Sequence, residues 1–141
     1  MTTVSQPRNS VIPLVARALM AIVFIMSGLS KLGAPAATQG YIAAMGLPAP
    51  ILAYLGAIAV EVGGGILLLV GYRTRAVAFV LAGFSVLTAL IFHHAFADQN
   101  QMIHFLKNIA MAGGFLQIAA FGAGSLSLDE RMATAGAPRL A

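Results

Sequence analysis

Hydrophobic residues run along this chain in four long stretches, each bounded by polar, proline or charged positions. The first, about Val11 to Leu29, contains a single charge, Arg17. The second, Ile51 to Val70, also contains one, Glu61. The third, Ala76 to Ala97, carries no formal charge and holds His93-His94 near its end. The fourth, Met102 to Phe121, has His104, Lys107 and Asn108 in its opening turns. Each approaches the ~20 residues that span a hydrocarbon core about 30 Å thick. Leu, Ala, Ile and Met fill them without the alternation of a membrane barrel. The pattern predicts an all-α membrane protein with a bundle of four transmembrane helices, over about 11–31, 50–71, 76–97 and 102–123. A tail follows from 129 to 141.

The connections differ in kind. Gly71 to Arg75 reads as a tight turn, and Asp98 to Gln101 as a short polar one. The segment Gly33 to Pro50 holds three prolines and Gly46, with a short surface helix expected over Ala36 to Met45 and Tyr41 at the interface. Residues after Asp129 read as a frayed tail. Glycines within the apolar stretches, Gly28, Gly63-Gly64-Gly65, Gly83 and Gly113-Gly114, suit close approach of membrane helices. The similar surroundings of Gly64-Gly65 and Gly113-Gly114 give a faint hint of a duplicated two-helix unit.

Composition fixes the class. The 141 residues are 60% hydrophobic and 9% charged, with a mean hydropathy of +0.91. A soluble domain carries about 25% charged residues, so a cytosolic enzyme, a nucleic-acid module and a disordered chain are excluded. The net charge of +4 does not indicate a polyanion partner, because the basic residues sit at the ends of apolar segments. Arg8, Arg17, Arg73, Arg75, Arg131 and Arg139 fall on one side of a four-span chain, and only Lys31 and Lys107 on the other. Both termini are therefore expected in the cytoplasm. Arg8, Arg17 and Ala34-Pro35-Ala36 imitate a secretory signal, but Lys31 and Pro35 beside the site argue against cleavage. There is no cysteine, so dithiol catalysis and thiolate-bound metals are excluded for this chain.

Ionisable groups on membrane helices are costly and usually find partners inside the bundle. Glu61 is the deepest, with Arg17 and Lys107 as the cations expected to reach it. That arrangement is a structural pair, a proton-carrying carboxylate or a polar anchor for a bound ligand. His93, His94, Asp98, His104 and Lys31 collect near the outer ends of the helices. His94 and Asp98, and His104 and Lys107, share a face if their helices persist. Four readings stay open for this cluster: side chains snorkelling to water, quinone or lipid contact, a divalent metal held by His94, Asp98 and His104, or haem between histidines. No CxxCH, P-loop or dinucleotide fingerprint is present.

One ordered series of short motifs runs from Arg17 to Asp129. It includes Ser27-Gly28-Leu29-Ser30-Lys31, Gly46-Leu47-Pro48-Ala49-Pro50, and Glu61 leading Gly64-Gly65 to Gly71-Tyr72-Arg73-Thr74-Arg75. It closes with Lys107-Asn108, Gly113-Gly114 and Ser127-Leu128-Asp129. In order and spacing the chain resembles the DoxX family of small bacterial four-helix membrane proteins. The resemblance implies one membrane domain over 1–141, inner-membrane localisation, and oxidoreductase association through relatives that look like subunits of a thiosulfate:quinone oxidoreductase. It matches Arg17, Lys31, Glu61, Lys107 and Asn108, while the histidines are this chain's own.

The resulting expectation is a redox-associated subunit at the quinone pool, with quinone favoured over haem and no metal. Glu61 and Lys107 are the expected catalytic groups, with Arg17, Lys31, His94, His104 and Asn108 contacting the cofactor. Its partners would be the bilayer, a quinone, and an oxidoreductase subunit or a second copy of the chain, with no nucleic acid. The rival expectation is a non-catalytic scaffold or small-solute carrier component, in which those residues only hold helices together.

Overall fold

A computed structural model describes residues 11–136, so Arg8 and Arg139 lie outside the described residues. All the regular structure described is helical. Helix α1 is Ile12–Gly33, α2 is Pro35–Ala44, and α3 is Pro50–Val70, with a π-helical turn at Ala59–Gly64 in its middle. Then come α4, Thr74–Phe92, α5, Gln99–Phe121, and α6, Leu128–Ala135. Helices α1, α3 and α4 are long and apolar enough to cross a membrane. Helix α5 matches them in length at 23 residues, but its first ten include Gln99, Gln101, His104, Lys107 and Asn108.

Three boundaries depart from the hydrophobic pattern, each for a local reason. Helix α4 stops at Phe92 and not near 97, because His93 leaves helical geometry at φ −131°, ψ 42°. Helix α5 starts at Gln99, since the Asp98 carboxylate accepts hydrogen bonds from the Asn100 and Gln101 amides. The segment read as a frayed tail instead contains α6. Ser127 caps it by accepting from the Glu130 amide at 3.2 Å, and Ser127-Leu128-Asp129-Glu130 is the capping-box spacing.

Packing is that of a membrane bundle. Small side chains and two aromatics, among them Ala21, Phe24, Ala78, Leu81, Ala112 and Phe115, fill the centre. Leu19, Ile22, Leu52, Phe79 and Leu116 point outward, the exposed apolar surface that suits a helix in lipid. Antiparallel α1 and α3 approach tightly at two glycines. A Cβ on Gly28 would stand 2.5 Å from Val62 Cγ2, and one on Gly65 2.7 Å from Ile25 Cγ1. This register, 28 beside 61–62 and 21–25 beside 65, decides which polar side chains meet.

On the arginine-rich side, Asp129 ties α6 to the turn before α4. Its carboxylate accepts from the backbone N–H of Arg73 at 2.7 Å and of Thr74 at 2.8 Å. Burial alone would raise this carboxyl's pKa, but bonds from Thr74 and Arg73 and the charge of Arg17 outweigh it and hold it below the usual range. A depressed carboxyl stabilises the fold at neutral pH, and the contribution is lost as pH falls through the folded-state value. Asp129→Asn is expected to lower unfolding stability in detergent by about 1 kcal/mol at pH 7. The difference from wild type should close in acid; a difference that persists at the lowest pH would refute this account of the cap.

Candidate functional site

Glu61 lies in the π turn of α3 and is only 5% exposed. π turns are rare, wider than α turns, and often found where function needs a side chain re-aimed. The run Gly63-Gly64-Gly65 that follows leaves the backbone free to take up the extra residue. Glu61 Oε1 accepts hydrogen bonds from Lys31 Nζ at 2.9 Å and from Ser27 Oγ at 3.1 Å. Oε2 also lies 2.9 Å from Lys31 Nζ, yet receives no well-directed hydrogen bond. Lys31 Nζ donates to Ser27 Oγ as well, at 2.9 Å, from one turn along the same face of α1. Tyr54, buried on α3, donates to the Lys31 carbonyl at 3.2 Å.

The cation at Glu61 is thus Lys31, correcting the expectation of Arg17 or Lys107. The antiparallel register explains it. Position 28 lies opposite Glu61, so Lys31 is within reach, whereas Arg17 is eleven residues back, roughly 16 Å along the axis. Arg17 is 1% exposed and donates instead to the carbonyls of Leu68 and Leu69, each at 3.0 Å, and of Leu126. Lys107 is exposed and pairs with His104 Nδ1 at 3.1 Å. Among the described residues it has no carboxylate partner.

A cavity of about 280 Å³ lies between α1, α3, α4 and α5. Its lining includes five of the seven expected site residues: Lys31, Glu61, His104, Lys107 and Asn108. Arg17 and His94 are not among them. His94 is exposed in the loop after α4, and since that helix ends at Phe92 the expected shared face with Asp98 does not form. His93 lines the cavity in its place. It stacks on His104 with ring centroids 5.1 Å apart and pairs through Nδ1 with Gln101 Oε1 at 3.0 Å. Asn108, 8% exposed, anchors its amide on the His104 carbonyl at 2.9 Å. Phe24 and Phe84 close the apolar side, with ring centroids 6.3 Å apart.

Two chemistries raised by the sequence do not fit this geometry. Among the described residues no three His, Asp or Glu side chains gather as metal ligands, so the His94–Asp98–His104 grouping fails. Two histidines that ligate one haem stand on opposite faces of the ring, whereas His93 and His104 lie directly against each other. What the cavity offers is a set of donors beside an apolar wall: an ammonium at Lys107, an amide at Asn108 and imidazoles at His93 and His104. His93 was named with the outer cluster but not among the expected cofactor contacts, and Ser27, Tyr54 and Thr88 were not singled out by sequence as site residues. Of those three, only Ser27, one helical turn before Lys31, carried a readable signal.

The family model described as DoxX matches residues 12–94. Two inner-membrane proteins of Escherichia coli strain K12 are similar over most of their length. Inner membrane protein YqjF is 45% identical over 117 residues, covering 83% of this chain and 88% of the relative. Inner membrane protein YphA is 37% identical over 126 residues, covering 86% and 90%. No solved structure matches the chain.

Proposed function

The chain belongs to the DoxX family and is a multi-pass inner-membrane protein, and from that premise we propose that its polar cavity receives the head of a membrane quinone. The protein is then an oxidoreductase-associated subunit at the quinone pool. In this reading α5 is the fourth span of a single membrane domain, both termini are cytoplasmic, and the cavity lies toward the outer surface. Lys107, Asn108 and His104 donate to the quinone carbonyls. Glu61 holds or passes a proton, and Lys31 fixes its position. With no cysteine in the chain, electrons arrive through a partner oxidoreductase subunit or directly from substrate.

The supporting observation is convergence. Side chains from three helices, remote in sequence and costly in a bilayer, line one small cavity with an apolar wall. The scaffold reading has an observation of its own: Lys31–Glu61 joins α1 to α3 beside the close approach at Gly28. Lys107 separates the two, because it is exposed and, among the described residues, bonds only within its own helix turn. Titration of the detergent-purified protein with a short-chain quinone analogue should show saturable binding. Lys107→Ala should weaken it by about ten-fold, or 1.4 kcal/mol, with the melting temperature unchanged. Absence of saturable binding, or binding indifferent to Lys107→Ala, would remove the quinone reading and leave the scaffold.

A further inference from the structure

A second cavity, of about 400 Å³, adjoins the first between α2, α3 and α4. Most of its wall is hydrocarbon, with Ile42 of α2, Ala53, Gly56 and Val60 of α3, and Leu87 and Ile91 of α4. Positions 53, 56, 57 and 60 follow helical spacing, so the small side chains of one α3 face leave the space that the cavity fills. Helix α2 covers it, with the Tyr41 ring 5.6 Å from that of Phe92 and its hydroxyl donating to the Phe92 carbonyl at 3.4 Å. The two cavities share the side chains of Lys31, Glu61, Phe84, Thr88 and His93. That wall is polar, and it carries the buried Glu61 Oε2 that receives no well-directed hydrogen bond. Lys31 is its movable part, since its side chain is 28% exposed on a flexible four-carbon stem.

We propose that the α2–α3–α4 chamber is a hydrocarbon-chain subsite, holding the first part of the tail of an amphiphile whose polar head meets the Lys31–Glu61 wall. This rests on the quinone reading for the identity of the head, and it names the tail as an isoprenoid chain. The chamber lies in the usual range of about 300–1,000 Å³ for ligand pockets. A spanning protein that keeps an apolar space between its helices fills it from the bilayer with alkyl or isoprenoid chains, the two apolar materials at hand.

The test fills the chamber from its α3 wall. A Cβ at Gly56 meets nothing within 4 Å, so Gly56→Leu enters open space, and Gly113→Leu makes the same change on α5 away from both cavities. The detergent-solubilised protein is titrated with a long-tailed isoprenoid quinone and with the same ring carrying only a methyl group. Gly56→Leu should weaken the tailed form about ten-fold relative to wild type and leave the tail-less ring unchanged. Gly113→Leu should alter neither. Tailed binding equal to wild type in Gly56→Leu, or equal loss of both forms, would overturn the subsite. If wild type binds neither quinone, the head assignment fails, and the chamber is read by native mass spectrometry of co-purified phospholipid. A phospholipid retained by wild type and absent from Gly56→Leu supports a chain site with a lipid head; none on either protein overturns it.

Discussion

Lys31→Met is expected to destabilise the bundle far more than Glu61→Gln, although the two changes break the same ion pair. Removing Lys31 leaves a carboxylate that is 5% exposed without its cation. Stranding one member of a buried pair costs about 3–5 kcal/mol. Removing the charge of Glu61 instead leaves an ammonium that is already 28% exposed and can swing out of the bundle toward water. Glu61→Gln also keeps an oxygen able to accept from Ser27. The double variant Lys31→Met with Glu61→Gln should recover most of the loss, because an uncharged pair needs no compensation. Unfolding of the four proteins in mild detergent measures the coupling. Equal single losses that simply add in the double would show that the pair contributes nothing specific.

Arg17→Leu is expected to be comparably damaging, by about 3 kcal/mol or more, and for a reason unrelated to the cavity. The last turn of a helix leaves carbonyls without amide partners, and its dipole favours a cation there. Arg17 supplies both needs at the end of α3, donating to Leu68 and Leu69, and it reaches the Leu126 carbonyl in the segment before α6. Gly71, at φ +72°, makes room: a Cβ there would stand 2.5 Å from Arg17 Nη1 and equally close to Ser127 Cβ. Arg17→Lys should recover little, since a single ammonium cannot span the carbonyls that the guanidinium fork bridges. The check is denaturant unfolding combined with ligand titration of the fraction that stays folded. Unchanged stability would refute the helix-end role, and selective loss of ligand binding would return Arg17 to the cavity.

Much of the bundle was legible because lipid enforces one rule on every turn. Three apolar stretches became helices of spanning length, two of them near their expected bounds, and a helix at Pro35–Ala44 stands where a short one was expected over 36–45. Misplaced ends fell where short-range capping outweighs hydropathy. Asp98 began α5 early, and the Ser127 cap built α6 inside a polar tail. The candidate site was half legible. Cost identified the ionisable residues, since few side chains of that kind are tolerated in an apolar helix. Partnership was not readable, because it depends on the register of α1 against α3, set by Gly28 and Gly65 and by the π turn that presents Glu61. The choice of His94 over His93 failed for a related reason. It assumed that α4 continued, and the helix stops one residue before the pair.

The quinone head proposed for the cavity lined by Lys31, Glu61, His104, Lys107 and Asn108 should survive gentle extraction. Native mass spectrometry of wild type and Lys107→Ala, released from their membranes in mild detergent, tests it most directly. An isoprenoid quinone should be retained on wild type and reduced about ten-fold on the variant, with equal yields of folded protein. Wild type carrying no quinone, or both proteins carrying the same amount, would contradict it.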